Sequence, residues 1–281
     1  MNRTLTTLLL ALCLCLAPTL AVVAQDSVMP IRITEDVVYG HKMGMALSFD
    51  VLQPAVANGA GILYMVSGGW FSRHYPAERA AQQFSSLLQA GFTVFTVRHG
   101  SAPLFKVPEA VADVKRATRY IHLHASDFGI DPNRLGVTGG SAGGHLSLML
   151  GLAAESEAAG LAAVVAYFPP VDLRRLAGPS ERFPALDFDV GLAASISPIL
   201  FVSSDDPPTL LIHGDADELV SLANSERIYT ALQDAGVLSE LIVIPGGDHG
   251  FTEPEHRARA GVAMLRWFDQ YLGAGAPGSH E

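Results

Sequence analysis

Cysteine is almost absent. The 281-residue chain has two, Cys13 and Cys15, and both fall in an N-terminal stretch that reads as an export signal. A chain starting after that stretch can form no disulfide, carry no cysteine nucleophile and hold no thiolate-bound metal. Positive charge is scarce as well: 18 Lys and Arg stand against 28 Asp and Glu, a formal net charge of −10. That balance argues against nucleic acid as a partner and leaves no polybasic patch for an anionic membrane. The apolar run at 8–24 is interrupted by Pro18 and is short for a membrane span. There is no repeat, low-complexity block or interdomain linker. His122 and His124 on a helical pattern face two directions, so they make no metal pair, and nothing else has metal-ligand spacing. No metal and no cofactor is expected.

What the N-terminus does contain is a targeting pattern. Arg3 supplies a positive start, Leu8–Ala17 an apolar run, and Val22 and Ala24 the small residues at −3 and −1 of a cleavage site before Gln25. Leu12 and Leu14 precede the two cysteines, which argues against a bacterial lipoprotein. Residues 1–24 are therefore read as a signal peptide and 25–281 as one domain, secreted or periplasmic, with no stable membrane insertion after processing. An uncleaved N-terminal anchor is the alternative. The hydrophobic content of 49 % is ample for a buried core, and the length fits one α/β domain.

Ile31–Tyr39 and Ala46–Gln53 are β-prone with no helix between them, which predicts an antiparallel hairpin at a sheet edge. From residue 61 onward strands alternate with helices. Apolar strand runs are read at 61–66, 92–97, 135–138, 161–168, 209–212 and 240–244. Helical spacing is read at 77–90, 108–124, 145–153, 224–235 and 256–272. This order predicts a mainly parallel sheet of about eight strands with helices on both faces. Residues 174–207 scatter Pro, Ser and Asp without a period and are read as a small lid or insertion.

Gly139-Gly-Ser-Ala-Gly143 lies between the strand run ending at Thr138 and the helical run from His145. With 27 glycines in 281 residues, such a pentad arises by chance in about one chain in five, so its strand–turn–helix context carries the weight. That context is the one required of a nucleophile elbow, where the serine sits on a strained turn at the carboxyl end of a sheet. A serine hydroxyl needs a base to take its proton, and the base needs a carboxylate to fix its tautomer. His213-Gly-Asp-Ala-Asp-Glu218 follows one strand directly and Gly246-Gly-Asp-His-Gly250 follows the last. Ser141, Asp217 and His249 therefore occur in the order nucleophile, acid, base. Asp215 and Glu218 compete for the acid. His145 and His213 abut these loops and are read as packed structural residues. An oxyanion hole would draw one N–H from Ala142 and another from the loop Gly68-Gly69-Trp70 after the strand at 61–66.

Together these residues resemble the α/β-hydrolase superfamily, and within it the small serine esterases of the hormone-sensitive-lipase and feruloyl/acetyl-esterase type. Ile130-Asp-Pro-Asn-Arg134 ahead of Gly139–His145 is similar to that group's elbow region. Ser101-Ala-Pro103 with Pro108–Asp113 is similar to its preceding loop and helix. Ile212–Asp217 and Asp248–Phe251 match its acid and base motifs. The group's usual His-Gly-Gly-Gly is replaced by Val66-Ser67-Gly68-Gly69, so the histidine that would brace the oxyanion loop is missing and the second donor is Gly69 or a neighbour. The resemblance implies a serine carboxylester hydrolase acting through an acyl-enzyme on short-chain esters, including acetyl or feruloyl groups on carbohydrate. Its substrate partner would be a small-molecule or carbohydrate ester; the oligomeric state stays open. A prolyl-oligopeptidase-type peptidase without a propeller, or a non-catalytic binding member of the fold, are the competing readings.

Protein exported from a bacterial host is expected to begin at Gln25 and to contain no thiol. Intact-mass measurement checks this; a mass that retains residues 1–24 would mean an anchored form.

Overall fold

Period-two alternation along the central strands sorts the core into two halves. Leu63, Phe95, Val164, Ala166 and Leu211 join one buried cluster, while their neighbours Ile62, Val94, Val165, Leu210 and Ile212 join the other. A sheet apolar on both faces must be covered on both. The computed structural model describes residues 31–153 and 160–273; the signal segment 1–24 lies outside them.

Eight strands form one sheet: β1 (Ile31–Lys42), β2 (Met45–Pro54), β3 (Gly61–Met65), β4 (Thr93–Val97), β5 (Leu135–Gly140), β6 (Ala163–Tyr167), β7 (Thr209–Gly214) and β8 (Ser239–Ile244). Their spatial order is β1-β2-β4-β3-β5-β6-β7-β8. β1 and β2 are the expected antiparallel edge hairpin, β2 pairs antiparallel with β4, and every pair from β4 to β8 is parallel. Among the described residues the α-helices are α1 (Ala77–Gln83), α2 (Ser85–Gln89), α3 (Val107–Leu123), α4 (Ala142–Leu152), α5 (Ala223–Asp234) and α6 (Pro254–Leu272). Buried residues of α3, α4 and α5 belong to the first cluster, those of α1, α2 and α6 to the second. Every residue of α4 is buried, as befits a helix apolar all round at the centre of a domain.

Two sequence expectations are refined. The single helix at 77–90 is in fact two, because Phe84 leaves helical geometry (φ −101°, ψ 19°) where its ring turns in against Tyr64, with centroids 4.7 Å apart. Residues 174–207 have no long element and fold as four short 3-10 turns between Leu173 and Leu200. The segment is tied down where Lys106 Nζ donates to Pro184 O at 2.8 Å and where Leu173 N–H donates to Ser197 Oγ at 2.9 Å.

The edge hairpin is held on by a ring cluster and an ion pair. Phe49 on β2 is fully buried and meets Phe95, Tyr120 and Phe128 edge-on, with centroids 5.7–5.9 Å away. Asp50 beside it is 1 % exposed and takes both arms of the Arg98 guanidinium at 2.6 and 2.9 Å. Burial alone would raise the Asp50 carboxyl, but Arg98, the Asp36 N–H and the Thr96 hydroxyl together outweigh that and hold it below its ordinary value. Phe49→Ala is expected to cost about 3–5 kcal/mol, read as a lower urea midpoint at unchanged m-value.

Candidate active site

Parallel strands all deliver their carboxyl ends to one edge of the sheet, and that edge gathers the loops after β3, β4, β5, β7 and β8. The sharpest turn is at Ser141, which holds φ 55° and ψ −119°, a conformation costly for a residue with a side chain. The chain can reverse there because β5 and α4 touch backbone to backbone. A Cβ on Gly139 would sit 2.6 Å from Gly143, and one on Gly143 would sit 2.7 Å from Met65 O. Glycine is required at both positions. Ser141 is half-buried, and its hydroxyl has no hydrogen-bond partner among the described residues.

Asp217 and His249 are brought together. Asp217 Oδ2 lies 2.7 Å from His249 Nδ1, with the aspartate side chain wholly buried and the imidazole 21 % exposed. Asp217 Oδ1 accepts the N–H groups of Leu219 and Val220, each at 2.9 Å. The carboxylate faces Nδ1 and so fixes the Nδ1–H tautomer of His249, leaving Nε2 bare. Phe168, itself at φ 36°, lays its ring 4.6 Å from the imidazole centroid and limits its rotation. The Ser141–His249 hydrogen bond is not formed, a common condition before substrate enters. The other two acids separate cleanly. Asp215 is exposed and accepts the Gly246 N–H at 2.6 Å, pinning the acid loop to the base loop. Glu218 is exposed and has no hydrogen bond among the described residues.

His145 and His213 are packed as expected. His213 Nε2 lies 2.7 Å from Val220 O and Nδ1 lies 2.8 Å from Ser225 Oγ. His145 Nε2 lies 2.8 Å from Ile196 O, and Trp70 Nε1–H donates to its Nδ1 at 3.4 Å. Burial pushes His213 down and His145 down to about 4, so both stay neutral.

The oxyanion loop differs from expectation at one residue. Gly68 N–H donates to Phe71 O at 3.0 Å, and Phe71 N–H donates back to Gly68 O at 3.0 Å. This small antiparallel bridge takes Gly68 out as a free donor. Gly69 and Trp70 follow at φ 58° and 59°, and their N–H groups, like that of Ala142, have no protein acceptor among the described residues. Sequence pattern alone does not single out His99, which follows β4. Its side chain is buried, with 4 % of the residue exposed, and touches Ser67 at the root of the oxyanion loop. The available signal was its place directly after a strand, at the edge where the site residues gather.

Residues of these loops line three clefts. One of about 310 Å³ is lined by Tyr64, Phe84, Tyr167, Phe168, Phe251 and Met264 among others. A second of about 500 Å³ runs along Ser67, Gly68, Phe71, Arg73 and Tyr75. A third of about 590 Å³ opens at His249 between Arg182, Glu218 and Asp248. Among the described residues no cluster of His, Cys, Asp and Glu could hold a metal ion.

The BD-FAE family profile matches residues 49–232. The chain is 30 % identical over 241 residues to Esterase LipQ of Mycobacterium tuberculosis, covering 78 % of this chain and 57 % of that protein. It is 28 % identical over 199 residues to an acetylxylan esterase of Xylanibacter ruminicola, covering 66 % and 40 %. The chain thus spans about half the length of the curated relatives it matches. Among solved structures, a truncated carbohydrate esterase from gut microbiota superposes with a TM-score of 0.71 at 27 % identity, over 88 % of this chain and 99 % of that one. The profile takes in β2 through most of α5, the elbow and Asp217 included, on an eight-stranded α/β-hydrolase sheet, and on that ground the chain belongs to the BD-FAE family.

Proposed function

We propose that this chain is a serine carboxylester hydrolase working through an acyl-enzyme. The observation that carries the reading is the 2.7 Å Asp217–His249 contact at the same sheet edge as the strained Ser141. His249 Nε2 takes the Ser141 proton as Oγ attacks the acyl carbonyl. The carbonyl oxygen, now negative, is met by N–H groups that need no reorganisation, from Ala142 and from Gly69 with its neighbour Trp70. His249 returns the proton to the departing alkoxide, and water then repeats the sequence to release the acid. Asp217 stays ionised throughout and stabilises the imidazolium. The esterase names of the relatives support the same reaction class.

The proton donor faces the leaving group, so the cleft at His249 is the alcohol side. Its lining of Arg182, Glu218 and Asp248 suits a hydroxyl-rich alcohol, and we assign the substrate as a short acyl ester, acetyl or feruloyl, of carbohydrate or a small alcohol. Phe183, Phe188 and Phe201 of the 174–207 segment pack against the core cluster, so they offer no greasy groove for a long acyl chain. We also keep the reading of 1–24 as an export signal, which places the enzyme with extracellular or periplasmic esters.

Ser141→Ala is expected to lose on the order of 10³-fold or more in kcat at an unchanged circular dichroism spectrum. Retention of most activity in pure variant sinks the mechanism. Asp217→Asn should likewise cost orders of magnitude, since the amide favours the wrong His249 tautomer. Asp215→Asn and Glu218→Gln should cost far less; a reversed ranking would move the acid to Asp215.

The acyl specificity is tested with a p-nitrophenyl ester series below micellar concentration, run beside a peptide anilide. The highest kcat/KM is expected at about C2 to C4, falling by about C10, because a methylene contributes about 0.8 kcal/mol only where a pocket buries it. A maximum at C10 with interfacial activation would make it a lipase. Anilide cleavage matching the esters would make it a peptidase.

A further inference from the structure

We propose that Ser67 and His99 are a positioning pair that sets the oxyanion loop in place of the missing loop histidine. The inference rests on the ester-hydrolase reading above. His99 Nδ1 lies 2.8 Å from Gly100 O, and Nε2 lies 2.9 Å from Ser67 Oγ. A carbonyl can only accept, so Nδ1 carries the proton. Nε2 is then an acceptor, and the Ser67 hydroxyl donates to it. Burial lowers the histidine's basicity, which keeps this neutral tautomer in force.

Ser67 is the joint between the two halves of the hole. Its side chain goes to His99, while its carbonyl accepts the N–H of Gly143 at 3.2 Å, one residue beyond Ala142. The loop is therefore fastened to the head of α4 and to the end of β4 through one residue. The segment 99–102 grips the other end of the loop as well. His99 N–H donates to Ser72 Oγ at 3.2 Å, Ser72 N–H donates to Ser101 Oγ at 3.0 Å, and Ala102 N–H donates to Trp70 O at 3.1 Å. Gly69 and Trp70, the residues with free N–H groups, lie between these fastenings.

The clasp has its own anchor. Gly100 N–H donates to Asp113 Oδ2 at 2.9 Å, and that buried carboxylate oxygen also meets Lys42 Nζ at 2.6 Å. The clasp is thus tied to α3 and, through Lys42, to the edge strand β1. Removing the Ser67–His99 bond leaves those anchors intact and frees only the root of the oxyanion loop. Loss should therefore appear where negative charge develops on the substrate, and not in ground-state binding.

The test measures kcat and KM on p-nitrophenyl acetate, together with Ki for a trifluoromethyl ketone whose hemiketal oxyanion occupies the hole. The proteins are wild type, Ser67→Ala, His99→Asn, the double variant, Ser67→Thr and His99→Gln. The threonine substitution keeps the hydroxyl, and the glutamine substitution keeps an acceptor near the Nε2 position. The asparagine substitution keeps only the reach to Gly100. We expect Ser67→Ala and His99→Asn each to lose about 10- to 100-fold in kcat with KM within about twofold. Ki should rise by the same factor as kcat falls, and the double variant should be no worse than the worse single. Ser67→Thr and His99→Gln should keep most of the rate. Near-wild-type kcat in both Ser67→Ala and His99→Asn overturns the proposal, as does a rate loss that leaves Ki unmoved or multiplies in the double variant. A wild-type protein inactive on every ester overturns the functional reading as well, so the two failures are told apart by the first measurement.

Discussion

The structure is built on one close approach of backbone to backbone. β5 must turn into α4 within a single left-handed residue; Gly139 lets the strand lie against the backbone of Gly143, and Gly143 lets the helix come against Met65 O on β3. That contact sets α4 against the middle of the sheet, where every one of its residues is buried. A helix so enclosed cannot shift without opening the core cluster it belongs to, so Ser141 at its head is held rigidly despite its strained φ of 55°. The first peptide of the helix then presents the Ala142 N–H toward the same edge as the serine. Ser141 and the Ala142 N–H, the proposed nucleophile and first oxyanion donor, are thus fixed by a single packing constraint, and the remaining loops need only arrive beside them.

They arrive with four histidines in close quarters, and hydrogen bonding decides which one does chemistry. His99, His145 and His213 each have one ring nitrogen against a backbone carbonyl and the other against a hydroxyl or an indole N–H. A neutral ring satisfies both partners in each case, and burial lowers all three. His249 instead has Nδ1 against a buried carboxylate at 2.7 Å and an Nε2 free for substrate. Only there is a ring nitrogen left without a hydrogen-bond partner among the described residues. His213 approaches the same Asp217 oxygen at 3.3 Å, but its Nε2 proton is already committed to Val220 O at 2.7 Å. Four rings of one chemical type thus divide into three packed rings and one candidate base by what faces them.

The strands, their alternation with helices, and the order Ser141, Asp217, His249 were legible because each is a local signal: period-two apolarity, a glycine-flanked serine, short polar loops closing apolar runs. The choice of Asp217 over Asp215 was legible from motif position alone, and the structure adds the reason, since Asp215 is committed to Gly246 N–H. The break at Phe84 was not legible, because helical spacing of apolar residues continues straight through it and only the Tyr64 ring on another element decides the kink. The loss of Gly68 as donor depends on a bridge to Phe71 that follows from two successive positive φ angles, which no residue preference dictates when one of them is tryptophan. His99 was hidden for a similar reason. Its partner Ser67 is 32 positions away in sequence, and they meet only because β3 and β4 are parallel neighbours in a fixed register.

That register suggests why an oxyanion loop can do without its own histidine. A hole works only when its donors are held to within about half an ångström of the reacting oxygen, and any side chain that reaches the loop root from a fixed strand can do the holding. β4 is such a strand: it is central, fully buried and paired on both sides. A net hydrogen bond in such a place contributes only about 1 kcal/mol to stability, so moving the brace from one strand end to the next costs the fold little. What it must not do is leave a buried polar atom unpaired, which costs about 1–3 kcal/mol. In the clasp both ring nitrogens of His99, the Ser67 hydroxyl and the Gly100 N–H all have partners. The position is therefore selected by pairing of both His99 ring nitrogens, with Gly100 O and Ser67 Oγ, while the anchoring Asp113 keeps Oδ1 without a partner among the described residues; the identity of the strand that donates the histidine is secondary.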